Sequence, residues 1–170
     1  ANDIAAMGAV PKWFLATILL PEGKTTPVMI DQIFAGLSEA CDELKITLCG
    51  GHTEVTHGLV RPVIVGQMLG EAASDQFVSA GDAQIGDQII LTKGIAIEAT
   101  ALIAIEKSDT LKNTFSEDFL DTCRQYLKYP GLSVVKDAHI AKETGGVHAM
   151  HDPTEGGLAT GLREIAMAAK

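Results

Sequence analysis

Met150-His151-Asp152-Pro153-Thr154-Glu155-Gly156-Gly157 separates two segments of opposite character, and its reading sets the architecture. Before it, Gly146-Val147-His148-Ala149-Met150 is short and apolar and is predicted as a strand. After it, Leu158 to Ala166 is predicted as a helix with Leu158, Leu162 and Ile165 on one face. Asp152 suits the N-cap, Pro153 the first helical position and Glu155 the carboxylate of a capping box. A cap needs no ligand, but it leaves Gly156-Gly157 unexplained, because each Gly inside a helix costs about 1 kcal/mol relative to Ala. Two glycines in a first turn suit a backbone that something approaches closely, and a helix N-terminus attracts anions.

Strand and helix patterns alternate outward from this stretch. Upstream lie a helix from about Ser133 to Glu143, the stop Tyr129-Pro130-Gly131, and a helix capped by Ser116 and reaching Lys128. A loop over Ser108 to Thr114 follows a helix from about Ile95 to Lys107. Before it, the turn-rich Gly81–Asp87 feeds a strand from Gln88 to Thr92, which Lys93-Gly94 breaks. Glu71 to Ala80 is small and polar and divides the chain into residues 1–72 and 73–170.

In the first part, Ala1 to Ala9 resembles the inside of a helix. Lys12 to Leu20 is a continuous apolar run between Pro11 and Pro21, predicted as a buried strand. Thr26-Pro27 opens a helix with Ile30, Ile33, Phe34, Leu37, Cys41 and Leu44 along one stripe. Ile46–Cys49 is the next strand, running into Gly50-Gly51-His52-Thr53-Glu54. A turn at His57-Gly58 then leads to a strand from Leu59 to Leu69, in which Pro62 marks an edge or bulge. There is no initiator Met, and Ala168-Ala169-Lys170 stops in mid-helix without a cap, so the expectation is a piece of a longer protein.

Composition excludes several classes. With 46% apolar and 21% charged residues the chain is globular, not disordered. A formal charge of −9 with 13 scattered Lys and Arg excludes a nucleic-acid surface. An acidic protein that binds polyphosphate uses glycine amides, helix N-termini and a divalent cation instead. Cys41, Cys49 and Cys123 form no CxxC pair, which points to a reducing cytoplasm. Trp13 to Leu20, the longest apolar run, is too short to span a bilayer.

Two further stretches offer chemistry. In Gly50-Gly51-His52-Thr53-Glu54 a glycine pair exposes backbone amides, and His, Thr and Glu offer groups for proton transfer; a plain turn explains it as well. Asn2-Asp3 is equally ordinary as a helix start. The chain has no GxxxxGK[ST], no GxGxxG between strand and helix, no HExxH and no GxSxG.

Taken together and in order, Asn2-Asp3-Ile4-Ala5-Ala6-Met7-Gly8-Ala9-Val10-Pro11, Cys49-Gly50-Gly51-His52-Thr53-Glu54-Val55, Gly86-Asp87-Gln88-Ile89-Ile90-Leu91-Thr92-Lys93 and His151-Asp152-Pro153-Thr154-Glu155-Gly156-Gly157-Leu158-Ala159 resemble the aminoimidazole ribonucleotide synthetase (AIR synthase, PurM-like) superfamily. The HypE-like hydrogenase maturation and AIR synthase-related branch is the nearest. The resemblance covers essentially the whole chain. It implies a PurM-like fold of α/β and α+β subdomains: a mixed α/β N-terminal domain forming a dimer barrel, then a partial C-terminal α+β domain. It also implies ATP with Mg²⁺, a homodimer and, if HypE-like, a maturation partner protein that carries a thiocarboxamide.

Carried over by position, the resemblance makes Asp152 and His52 catalytic, with Asp3 and Asp152 on the metal side. Asn2, Gly50, Gly51, Thr53, Gly156 and Gly157 become nucleotide-side residues. The implied activity is ATP-dependent phosphoryl transfer or dehydration; the rivals are an AIR-synthase-like cyclo-ligase, a small-molecule kinase, and a non-catalytic nucleotide-binding or dimerisation module. Three departures stand out. His52 occupies a place where several relatives carry Asp, and Mg²⁺ prefers oxygen. The Gly-rich acidic segment that usually precedes Asn2 and the Cys-bearing C-terminal tail are both outside this sequence, so the expectation is that these 170 residues alone do not turn over.

Overall fold

The computed structural model describes residues 1–169, which fall into two compact units: Asp3–Phe77 with Ala1, and residues from Val78 onward with Asn2. In the first, a short helix α1 (Asn2–Ala6) leads to a three-stranded sheet of β1 (Val10–Pro21), β2 (Thr47–Thr56) and β3 (Val63–Glu71). Central β1 runs parallel to β2 and antiparallel to β3. Parallel neighbours need a crossover, and α2 (Pro27–Leu44) supplies it. That helix starts as its sequence demands: the Thr26 hydroxyl accepts from the Met29 N–H at 3.2 Å, and Pro27 needs no partner for its nitrogen.

Alternate side chains of β1 point at α2. Ala16, Ile18 and Leu20 form the core, with Phe14, Ile30, Ile33, Leu37 and Leu48 packed against it. Ile18 and Leu20 are each 1% exposed, and full burial of one such side chain stabilises by about 1.5–3 kcal/mol. The opposite set on β1, Trp13, Leu15, Thr17 and Leu19, pairs with Leu69, Gln67, Val65 and Val63 of β3. This second face is also largely apolar, and Trp13, Val63, Val65 and Leu69 on it are exposed.

Strand β2 extends further than the sequence indicates. Gly50-Gly51 is not a turn after a strand that ends at Cys49; it lies inside β2. Register explains why. Phe14 pairs with Leu48 and Leu15 with Gly50, so Cys49 is an extra residue with no opposite number, a β-bulge. Its thiol reaches the Phe14 carbonyl at 3.5 Å. Two residues on, Gly51 passes so close to β1 that a Cβ would lie 1.9 Å from the Ala16 carbonyl oxygen. Only glycine fits there.

The second unit contains α3 (Ile97–Glu106), α4 (Ser108–Leu111), α5 (Glu117–Gln125), α6 (Val135–Thr144), α7 (Gly157–Ala168) and a 3-10 turn at Ala80–Asp82. Small Ala101 and Ala104 let α3 approach α5, where Leu120 and Cys123 are buried. Arg124 locks this pair: it donates to the Ser108 hydroxyl and Glu117 at 2.7 Å, to Asp121 at 2.5 Å and to the Ala104 carbonyl at 3.4 Å. Four sequence expectations fail here. The loop over 108–114 contains the single turn of α4. Residues 88–92 and 146–150 are extended but pair with no strand among the described residues, leaving Ile89 at 74% and Ile90 at 83% exposure. An apolar run supplies a strand's side chains, not its ladder. Finally, α7 does not start at Pro153: its N-cap is Gly156, so Asp152 is not the helix cap. The expectation that the last helix continues into Lys170 lies outside the described residues.

Candidate functional site

In the first unit, an open groove of about 400 Å³ runs beside the bulged part of β2. Gly50, Gly51, His52 and Thr53 line it together with Cys49 and Leu48, Ala16 and Ile18 of the core, and Phe34 of α2. Gly50 has an ordinary φ, and a Cβ added to it would meet nothing within 4 Å. Glycine is required by the fold at 51 and not at 50. His52 and Glu54 pair with Thr17 and Leu19, so they stand on the face away from α2, their side chains 3.3 Å apart and exposed. The period of two along a strand was the available signal for that pair. Asp3 lies in the first turn of α1 and is exposed.

In the second unit, residues 151–156 run non-helically to the start of α7. Gly161 makes this possible: it is buried in α7, and a Cβ there would sit 2.8 Å from the Pro153 Cβ. Gly156 and Gly157 both adopt left-handed conformations, at φ +77° and +63°. At Gly156 a Cβ would strike the Thr160 hydroxyl at 2.1 Å, whereas at Gly157 the space is open. The N-cap Gly156 has no side chain with which to cap α7, and the Gly157 N–H is taken by the Thr154 carbonyl at 3.2 Å. Asp152 is half-buried in this segment. Its neighbour His151 reaches Glu164 of α7 at 2.8 Å. A carboxylate only accepts, so Nε2 carries the proton, and the buried Nδ1 has no partner. Sequence offers no signal for His151–Glu164, which are thirteen positions apart.

Asn2 is committed elsewhere. Its amide donates to the Leu132 carbonyl at 2.9 Å and accepts the Val134 N–H at 3.0 Å, capping the approach to α6. Asp87, in the Gly86-Asp87 turn, accepts the Gln84 N–H at 2.8 Å and meets His148 at 2.8 Å. The Gln84 N–H, and then His148, hold its carboxyl below the ordinary aspartate value. Among the described residues, no group of three or more His, Cys, Asp or Glu side chains could hold a metal ion. No helix among them is long and apolar enough to cross a membrane.

The chain is 33% identical to a selenide, water dikinase of Shewanella sp. (strain MR-7) over 99% of this chain and 44% of the relative. It is 30% identical to a phosphoribosylformylglycinamidine cyclo-ligase of Bacillus subtilis (strain 168) over 85% of this chain and 46% of the relative. It thus spans about half the length of the curated relatives it matches. Among solved structures, the hydrogenase maturation protein HypE superposes with a TM-score of 0.80 at 25% identity, over 99% of this chain and 49% of that one. HypE in complex with ATP superposes with a TM-score of 0.79 at 23% identity, over 99% and 47%. The fold is PurM-like, with mixed α and β content. Residues 1–72 match the N-terminal domain of the AIR synthase related proteins and residues 84–170 match their C-terminal domain, and the chain belongs to that family.

Proposed function

We propose that the chain is the nucleotide-handling portion of an ATP-dependent PurM-like enzyme that performs phosphoryl transfer or dehydration and most resembles HypE. The observation that carries this reading is the start of α7: two left-handed glycines, no side-chain cap, and Asp152 just ahead. The amides of a helix N-terminus favour negative charge, and a glycine with open space beside it lets a phosphate come close. Within the first unit, Gly50, Gly51 and Thr53 are assigned nucleotide-side roles of their own, His52 a proton-transfer role and Asp3 a metal-side role; Asn2 holds the turn before α6. The fold supports this, since HypE carries ATP on it.

The donor set fits Mg²⁺ that arrives with the phosphates rather than a resident ion in a protein cage. Mg²⁺ takes one or two carboxylates plus phosphate oxygens, and Asp152 supplies a single carboxylate of that kind. Bound there, Mg²⁺ would neutralise charge that grows on the phosphate oxygens. The chain's own part is positioning: Asp152 orients the ion, and the α7 amides hold the phosphate.

Identity to the selenide, water dikinase and to the cyclo-ligase favours a second reading, in which the acceptor is a small molecule and not a partner protein's thiocarboxamide. The uncovered apolar face of the β2-β1-β3 sheet supports a homodimer, and the odd free cysteines support a cytoplasmic setting. Calorimetry with Mg-ATP on the whole protein tests the first reading. Binding that weakens at least about tenfold in Asp152→Asn is expected, and absence of binding by the whole protein refutes it. Product analysis with a small-molecule or a partner-protein acceptor separates the two readings.

A further inference from the structure

Four consecutive carbonyls, Pro130 to Ser133, are taken up by two distant side chains. Asn2 takes Leu132. The Lys93 ammonium donates to Pro130 O at 3.2 Å, to Gly131 O at 3.3 Å and to Ser133 O, while the Asp137 carboxylate of α6 stands 3.6 Å away. An ammonium has three donors and no acceptor, so every donor is matched and the carboxylate balances the charge. Although Lys93 as a residue is exposed, its side chain is only 17% exposed, and the Asp137 side chain 25%.

Seen without the lysine, the same place is a pocket of oxygen atoms about one centre: three carbonyls and one carboxylate. Carbonyl cages of this kind replace the hydration shell of monovalent cations. Three neutral carbonyls and a single carboxylate give the cage one negative charge, which matches a monovalent ion, and an ammonium group already fills it. We propose that the Pro130–Ser133 turn and Asp137 form a site for a small monovalent cation, filled in the resting protein by Lys93 as a tethered ammonium and open to free ammonium or potassium once the tether is shortened. The site lies wholly among these residues and is independent of the nucleotide reading.

Chemical rescue of the full 170-residue chain tests this. In choline chloride, Lys93→Ala leaves the oxygen cage without a partner and melts at least about 5 °C below wild type. At equal ionic strength, ammonium chloride restores at least half of that loss, potassium chloride restores part, and tetramethylammonium restores none. The double change Lys93→Ala with Asp137→Asn abolishes the rescue. Equal melting of Lys93→Ala and wild type in choline overturns the proposal, as does equal rescue by tetramethylammonium. If Lys93→Ala does not fold in choline, recovery of folding in ammonium supports the site and failure in every salt overturns it. On the wild-type chain, acetic anhydride followed by mass spectrometry labels Lys93 several-fold more slowly than exposed Lys24 and Lys45; equal labelling again overturns the proposal.

Discussion

Replacing Gly51 with alanine puts a methyl group where the backbone of Ala16 already lies. The new Cβ would stand 1.9 Å from the Ala16 oxygen, 2.6 Å from its carbonyl carbon and 2.8 Å from its nitrogen. All three are main-chain atoms of the central strand, so no rotamer relieves the clash. A φ of +141° adds strain of its own. Strained backbone costs about 1–3 kcal/mol and overpacking about 1–3 kcal/mol, giving about 2–6 kcal/mol together. At about 4–8 °C per kcal/mol for a unit of this size, Tm should fall by about 10 °C or more. Gly50→Ala is the matched control, because its Cβ enters open space with an ordinary φ, and its Tm should stay within about 2 °C of wild type. Thermal melts followed by circular dichroism read both. If the two variants melt together, the close approach of β2 to β1 is wrong.

Asp152→Asn keeps a side chain of the same size at a position that does not cap α7. Mg-ATP binding by the whole protein, measured by calorimetry, should fall at least about tenfold; a retained affinity removes Asp152 from the phosphate side. Asp87 is ionised more readily in the fold than in the unfolded chain, so its stabilisation is complete above the ordinary aspartate value and fades as pH falls through the lower folded value. The Tm difference between wild type and Asp87→Asn should therefore be constant from neutral pH to about 5 and shrink below about 4, and a difference that does not change with pH denies the Gln84 and His148 interactions. Val65→Glu places a charge on the uncovered sheet face, and light scattering should show a monomer for the variant beside a wild-type dimer. A wild-type monomer at micromolar concentration removes the dimer reading.

The parts of the fold written in local rules were legible. Pro11 and Pro21 mark the ends of β1, each lying just inside it, and Thr26-Pro27 starts α2 by satisfying an amide of its own first turn. What stayed hidden depends on neighbours distant in sequence. Gly51 is glycine because of Ala16, Gly161 because of Pro153, and Gly156 because of the Thr160 hydroxyl, and no window of sequence holds the first two reasons. Ile89, Ile90 and Leu91 have strand chemistry without a partner strand. Asp152 satisfied every cap rule, yet left-handed Gly156 and the close approach of Pro153 to Gly161 move the helix start four residues on. The groove residues of β2 were visible as a motif; Phe34 reaches them only through the α2 crossover, and His151 reaches Glu164 only through α7.

The bulge at Cys49 makes the strand readable in two phases joined by a spacer. Upstream of it, even-numbered Ile46 and Leu48 are the inward set; downstream, odd-numbered Gly51, Thr53 and Val55 pair with the inward-facing residues of β1. Were the strand straightened with all its residues kept, His52 would come opposite Ile18 and Glu54 opposite Leu20, turning two polar side chains onto the core. That alternative frame is closed by its own chemistry, so the frame in use needs no help from the groove. Deleting Cys49 would leave residues 50–56 in their places. The strand therefore tolerates a change of length at Cys49 without a change of face downstream.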